Sequence, residues 1–416
     1  MPARQAASSS IPAPVGAPAT TDTLVQLHFG RFVHPVYREQ LHAVPPGFRY
    51  VWRHPALDDA TTPTKRVLEE NAVLTTARQL SERAALRALS RAGYVHRVHA
   101  ESMPGAALIH SGERLLWRSP LPYVLDFEHV ELFVLYQRIA LDRPWARRSL
   151  WQALTDERLR SLLPWSDAAR RSVLHALGPR AEAALGPRME VVYPAIRAAV
   201  DGPRSGVGAG PLRLLFVGTS FYEKGGVEAI RAVQRLSATH DVHLDLLSYV
   251  PDEWRALVAG DTAITLHAPG GHDVVQRLYR QADAMLFPSH MDTFGYVVLE
   301  AMAHALPVVA PRHLALTELV AEDESGLLFE AENTLYGEDT ACRFPSTLPP
   351  PRRFREALRA PSDAYVDGVA AALARLAEDR ALRERLSAGA LEQVRSGIFS
   401  VQRRQGALRR IYASAL

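Results

Sequence analysis

The sequence predicts an α/β protein of two Rossmann-like, doubly wound parallel-sheet domains, on three observations. The first is the stretch Asp283 to Pro311, DAMLFPSHMDTFGYVVLEAMAHALPVVAP. Ala284 to Phe287 is a short apolar run closed by Pro288 and Ser289, which reads as a buried parallel strand ending in a turn. A helix follows, with Asp292 or Thr293 as its cap and Val297, Val298, Glu300, Ala301 and Met302 in its body; Pro307 ends it before a second buried strand, Val308 to Ala310. The second observation is that similar apolar runs recur along the chain with helical spacing between them. The third is Asp201 to Pro211, DGPRSGVGAGP, which has no apolar periodicity and reads as a linker between domains at 23–200 and 212–398.

Composition sets the bounds. A chain of 416 residues, 47% hydrophobic and 22% charged, is long enough for two full cores. No apolar run approaches the length that spans a bilayer. A net charge of +3, unclustered and without a binding motif, gives no reason to expect nucleic acid. The single cysteine, Cys342, excludes an internal disulfide framework and fits a reducing compartment. Residues 1–22 are rich in Ala, Pro and Ser without a sustained apolar core, which reads as a disordered tail rather than a signal peptide. The expected location is therefore cytoplasmic, with peripheral contact on the inner face of the membrane as the alternative.

In chain order, Thr23 to Leu27 reads as a first strand, followed by a loop through His28, Gly30 and Arg31, and Phe48 to Trp52 as a second. Between Thr76 and Arg91, Leu80, Ala84, Leu86 and Leu89 alternate with arginines at helical spacing. This is either a surface helix with a solvated basic face or one that lies on an anionic membrane. Ala106 to His110 and Tyr123 to Asp126 are two further strands, with His110 and His129 as histidines near their ends; Glu128 and Glu131 flank the second. Residues from Pro144 to Arg188 read as helical, including Asp167 to Leu177, and Val191 to Pro194 reads as the last strand of the first domain.

The second domain opens with LRLLFVGTSFYEKGGVEAIRAVQRL: strand Leu212 to Val217, a tight turn at Gly218, and a helix from Val227 to Leu236. Lys65 and Lys224 are the only lysines, so Lys224 in a glycine-flanked turn is not there by abundance. Backbone N–H groups at a helix start, together with an ammonium, neutralise a phosphate. Eight residues between Asp292 and Glu300 are just over two helical turns, about 12 Å along one side, so the two carboxylates can touch two parts of one elongated ligand. Val242 to Leu247 and Ile264 to His267 are further strands, and Val274 to Arg280 a helix. Asn333 to Pro361 reads as an insertion or surface loop. Asp363 to Val394 reads as helical, and the chain ends FSVQRRQGALRRIYASAL over residues 399–416.

The segment PSHMDTFGYVVLEAMAHALPVVA resembles the donor-site signature of retaining glycosyltransferases of the GT-B fold, glycosyltransferase family 4. The resemblance implies two domains facing across a cleft, a nucleotide-sugar donor bound mainly by the second, and a hydroxyl acceptor of unknown identity. It implies Lys224 and the Gly218 turn on the diphosphate, Glu300 on the ribose, and Asp292 and Thr293 with the backbone N–H groups of Phe294 and Gly295 on the sugar. The loop of His267 and Ala268 would seat the base, His129 would face the donor sugar, and the last helix would cross back to the first domain. Gly30, Arg31 and His110 are further candidate contacts to donor or acceptor. Three positions depart from the family pattern: Thr219 replaces an arginine, Asp292 a glutamate, and Ala305 a glycine, the last expected to affect packing alone. No cofactor or metal is implied. Alternatives are a phosphorylase or epimerase of the same fold and, in another functional class, a non-catalytic nucleotide-sugar-binding subunit.

Overall fold

The computed structural model describes residues 22–29, 33–53, 77–204, 210–348 and 350–416, without the side chains of 77–83. The expected tail, Gly30, Arg31 and the middle of the linker therefore lie outside the described residues. The first domain runs β1 (Thr23–His28), α1 (Pro35–Leu41), β2 (Phe48–Trp52), α2 (Ala77–Arg91), β3 (Arg97–Val98), β4 (Ala106–Gly112), β5 (Leu115–Leu116), β6 (Tyr123–Phe127), α3 (Pro144–Leu154), β7 (Leu159–Pro164), α4 (Asp167–Leu177) and α5 (Arg180–Leu185). The second runs β8 (Leu212–Val217), α6 (Gly226–Ser237), β9 (Val242–Leu247), α7 (Asp252–Leu257), β10 (Ile264–His267), α8 (His272–Gln281), β11 (Ala284–Leu286), α9 (Tyr296–Ala303), β12 (Val308–Pro311), α10 (Leu316–Leu319) and β13 (Gly326–Phe329). The helices α11 (Arg352–Ala357), α12 (Asp363–Glu378), α13 (Arg380–Arg395) and α14 (Val401–Ala415) complete the chain.

Two large parallel sheets result, ordered β2-β1-β4-β6-β7 and β10-β9-β8-β11-β12-β13, with β3 and β5 pairing separately. Their central strands read as apolar runs because helices cover both faces; every residue of β6 and of β11 is buried. In the second sheet the order reverses at β8, which lies between β9 and β11. The crevice at such a reversal, beyond the carboxyl ends of the strands, is where open α/β sheets bind ligands. Gly218 follows β8 and Pro288 follows β11, so both loops that carry the candidate residues open there.

Four expectations need correction. Leu159 to Pro164 is a strand, paired with β6, rather than part of a helical stretch. Asp156 makes the turn before it and Pro164 closes it, and the arginines at 158 and 160 hid the alternation. Val191 to Pro194 is no strand; it is an extended segment tied to the end of β7 by Glu190 N–H to Leu162 O and Val192 N–H to Pro164 O. Neither Asp292 nor Thr293 caps α9: the cap is Gly295, at φ +89°, a left-handed conformation that glycine adopts without steric cost. Residues 333–348 form no free surface loop but pack on the first domain, where Ile139 N–H donates to Pro345 O and Thr347 N–H to Tyr136 O.

The last helix is fastened to the first domain by a buried polar cluster. Asp126 accepts from Tyr37 Oη (2.5 Å), His110 Nε2 (3.2 Å) and Arg404 Nη2 (3.3 Å), and Tyr412 Oη lies 2.6 Å from His110 Nδ1. Burial alone would raise the Asp126 carboxyl; His110, Arg404 and Tyr37 together hold it below its ordinary value. Without those donors the carboxylate would be a buried unpaired charge.

Ala305, fully buried between α9 and β12, sits at φ +58°. The departure from glycine is therefore a backbone matter and not one of packing, since a Cβ in the left-handed region crowds its own carbonyl. Ala305→Gly should raise unfolding stability by about 1 kcal/mol, read as a higher denaturation midpoint; an unchanged or lower midpoint would contradict this.

Candidate functional site

The site is assembled from two loops that leave adjacent strands at the reversal point. After β8 the chain turns at Gly218, where an added Cβ would lie 2.9 Å from both Cβ and Cγ of Lys224. Glycine is required here so that the lysine stem can cross the turn, more than for its own dihedral freedom. The loop then closes on itself through Lys224 N–H to Ser220 O (2.9 Å) and Gly226 N–H to Phe221 O (2.8 Å). Gly225, at φ +82°, caps α6, and a Cβ there would stand 2.1 Å from the carbonyl oxygen of Pro288. The two loops thus touch backbone to backbone, and His290 N–H donates to Glu223 O (3.0 Å).

Across this contact Lys224 Nζ meets both carboxylate oxygens of Asp292, at 2.6 and 2.7 Å. Ser289 Oγ donates to Asp292 Oδ2 at 2.5 Å. The pair is partly shielded, with the lysine side chain 24% and the aspartate 15% exposed. Asp292 lies in the loop and only Glu300 on the helix, so the expected geometry of two carboxylates on one helical face does not hold. Among the described residues, the backbone N–H groups of Thr219, Ser220, Phe294 and Gly295 have no acceptor. Those donors, two in the turn after β8 and two at the start of α9, with one ammonium between, suit an anion.

Glu300 lies in α9, where Tyr279 Oη donates to its carboxylate at 3.3 Å. Burial pushes the Glu300 carboxyl up to about 7, so near neutral pH it exchanges between acid and carboxylate. Tyr279 is held in turn by the stacked ring of His304, 4.8 Å away. Thr219 is half-buried and Thr293 buried; the side chain of Phe294 faces the first domain, 5.9 Å from the Trp165 ring. His267 ends β10 with Nε2 2.8 Å from Asp245 Oδ1, and Ala268 is exposed beside it.

Two expected ligand contacts are structural instead. His110 lies inside β4, fully buried, with both ring nitrogens engaged in the Asp126 cluster. His129 caps a short 3-10 helix: its Nδ1 accepts from Glu131 N–H (3.4 Å), and its Nε2 lies 2.9 Å from Thr340 O. Burial lowers its pKa to about 4, so it is a neutral ring with no nitrogen left for a sugar. Of its neighbours, Glu128 accepts from Tyr136 Oη, and burial raises the Glu131 carboxyl to about 7.

Three residues that build the site were not foreseen. His290 bridges Glu228 Oε1 (2.9 Å) and Glu332 O (2.9 Å), pinning the Asp292 loop to α6. His313, close enough to Asp292 to feel its charge, is neutral because burial lowers its pKa to about 4. Glu318 accepts from the N–H groups of Asp167 (2.7 Å) and Ala168 (2.8 Å) at the start of α4 and from Tyr193 Oη (2.8 Å), clamping the second domain to the first. Only His290 lies in the quoted signature, as the histidine of PSHMD; His313 and Glu318 lie outside it.

The pair of facing doubly wound sheets is the GT-B fold. Over 94% of this chain and all of the other, the structure superposes on HepE of Anabaena, solved in complex with UDP and glucose, with a TM-score of 0.56 at 12% identity. The sucrose-phosphate synthase of Thermosynechococcus elongatus gives 0.54 at 15% identity, over 94% and 98% of the two chains. Residues 211–337 match the family model Glycosyl transferases group 1. The chain is 30% identical over 192 residues to D-inositol 3-phosphate glycosyltransferase of Acidothermus cellulolyticus, covering 41% of each chain. It is 35% identical over 128 residues to glycogen synthase of Mycobacterium tuberculosis, covering 28% of this chain and 30% of that one. The matched stretch thus spans well under half the length of these curated relatives.

The His290–Glu228 pair gives a pH-dependent prediction. Partners raise the His290 pKa against the pull of burial. The stability it contributes is therefore fully present below its unfolded value, about 6.5, and is lost as pH rises through the folded value. The denaturation midpoint of the wild type should exceed that of His290→Gln most at about pH 6, with the gap narrowing at alkaline pH. A gap that widens with pH would refute the assignment.

Proposed function

We propose that the protein is a GT-B glycosyltransferase that moves a sugar from a nucleoside diphosphate sugar to an acceptor hydroxyl with retention of configuration, as a member of glycosyltransferase family 4. The observation that carries the reading is Lys224, held over Gly218 at the reversal point of the second sheet, between the N–H groups of the β8 turn and those at the start of α9. The match to glycosyl transferases group 1, the relatives named as glycosyltransferases, and the UDP and glucose held by HepE support it.

In this reading the donor diphosphate enters between the loops after β8 and β11, and Lys224 moves from Asp292 onto it. Charge that builds on the departing diphosphate as the sugar leaves is met by the ammonium and by the Thr219 and Ser220 N–H groups. Asp292, released, accepts from sugar hydroxyls, while the Phe294 and Gly295 N–H groups complete the same wall. Glu300 accepts from the ribose; His267 and Ala268 border the base. No base beside the acceptor is required if the leaving phosphate takes the acceptor proton on the same face of the sugar. The reading calls for no metal, since Lys224 supplies the positive charge.

A second reading, a nucleotide-sugar-binding subunit without activity, is favoured by one observation: Asp292 neutralises Lys224 and Thr219 adds no charge beside it. Donor hydrolysis in the absence of acceptor separates the two.

Thermal shift against UDP-, GDP- and ADP-sugars and their diphosphates tests donor binding, because a ligand of the native state alone raises the melting temperature. One nucleotide should stabilise the protein, with the shift lost in Lys224→Ala; no shift with any would remove the support for a donor site. Sugar transfer should fall by roughly 100-fold or more in Lys224→Ala, the scale of losing a donor to a developing oxyanion. Donor affinity should rise as pH passes about 7, where Glu300 ionises, and this dependence should vanish in Glu300→Gln. Full transfer activity in Lys224→Ala, or the same pH dependence in Glu300→Gln, would contradict the respective role.

A further inference from the structure

The first domain carries a second cluster of side chains that the donor site does not use. Leu89, Tyr94, Trp117 and Trp145 are 45–56% exposed. Trp145 Nε1 donates to Ala92 O (2.9 Å), which places the indole on the turn between Leu89 and Tyr94. Arg97 donates to Ser149 O of α3 (2.6 Å), and its guanidinium lies 5.4 Å over the Trp117 ring. Arg118 covers the same ring at 5.5 Å, and Arg143 covers Trp145 at 5.4 Å.

The charge that α3 brings to this face has one sign. The α3 sequence PWARRSLWQAL contains no acid. Arg147 and Arg148 are exposed and have no ion-pair partner among the described residues. With Pro144, Trp151 and Arg180 they line an open groove of about 620 Å³ whose walls, among the described residues, hold no carboxylate. The nearby Asp142 is taken up by Arg138, at 2.7 Å. Single exposed apolar residues are ordinary, but three exposed aromatic rings, two of them covered by arginines, on the elements beside an arginine-lined groove call for an explanation.

We propose that this face docks on an anionic phospholipid bilayer, with lipid phosphates in the arginine groove and the rings of Trp145, Trp117 and Tyr94 at headgroup depth. Indole and phenol rings favour that depth because one part is apolar and another polar. Arginines are drawn to the negative surface of the leaflet and bind phosphate through a planar fork. A free phosphate or a phosphorylated small molecule would satisfy the groove but leave the four apolar side chains in water. The inference stands apart from the glycosyltransferase reading, since none of these residues belongs to the donor site. Among the described residues no helix is long and apolar enough to cross a membrane, so the contact is peripheral.

Sedimentation of the full chain with vesicles of phosphatidylcholine, with and without phosphatidylglycerol, tests it. The protein should be retained only where phosphatidylglycerol is present, and less at high salt. Because an arginine near an anionic surface contributes about fivefold in affinity, Arg147→Gln/Arg148→Gln should bind roughly 25-fold more weakly. Both side chains are exposed, and an unchanged melting temperature confirms that the variant is folded. Brominated lipid should quench the fluorescence of the wild type more than that of Trp145→Phe. Equal retention on neutral vesicles, no retention, or retention unaffected by the double substitution would each overturn the proposal. So would release by millimolar inorganic phosphate where equal chloride has no effect, which would assign the groove to a soluble ligand.

Discussion

The ion pair between Lys224 and Asp292 is the constraint on which the rest of the second domain's architecture depends. It needs a glycine at 218 so that the lysine stem can pass, and a glycine at 225 so that the backbone can press against Pro288. It also needs His290 behind it to keep the aspartate loop in register with α6. A partly shielded pair of this kind adds little net stability, because desolvation offsets most of the attraction. Its value lies in placement: an ammonium is kept extended across the mouth of the crevice instead of wandering in solvent. An incoming diphosphate would find the charge already positioned and compete with one carboxylate for it.

The first domain closes the other side of the crevice. Trp165 packs on Phe294, and His34 lies edge-on to Tyr296, so the residues on either side of Gly295 are gripped from across the interface. Glu318 reaches the same region and satisfies the N–H groups at the start of α4. The two domains are tied a third time by α14, whose Arg404 and Tyr412 enter the Asp126 cluster. The loop that would hold the sugar is thereby fixed by both domains. A change in their relative position would be felt directly at Gly295.

The fold and the site were unequally legible in the sequence. Strands β8 to β12 announce themselves because buried parallel strands are largely apolar, as LRLLFV and PVVA are and as VHLDLL is apart from His243 and Asp245. Lys224 stood out through the rarity of lysine in this chain and the glycines around it. The start of α9 was misread because Asp292 and Thr293 are ordinary cap residues, whereas the true cap depends on Gly295 adopting a conformation that no neighbouring residue signals. His110 and His129 looked like ligands because both follow apolar runs. Their actual partners, Tyr412 and Thr340, lie some hundreds of residues away, and no local pattern encodes such contacts. Glu318 was hidden for the same reason, and β7 because its arginines broke the apolar run.

The most direct test of the central claim is a crystal structure of the protein with UDP bound, read at Lys224 Nζ. The account predicts that the ammonium leaves Asp292 for a diphosphate oxygen, with the ribose hydroxyls on Glu300. UDP found elsewhere, or bound with Lys224 still gripping both carboxylate oxygens of Asp292, would contradict it.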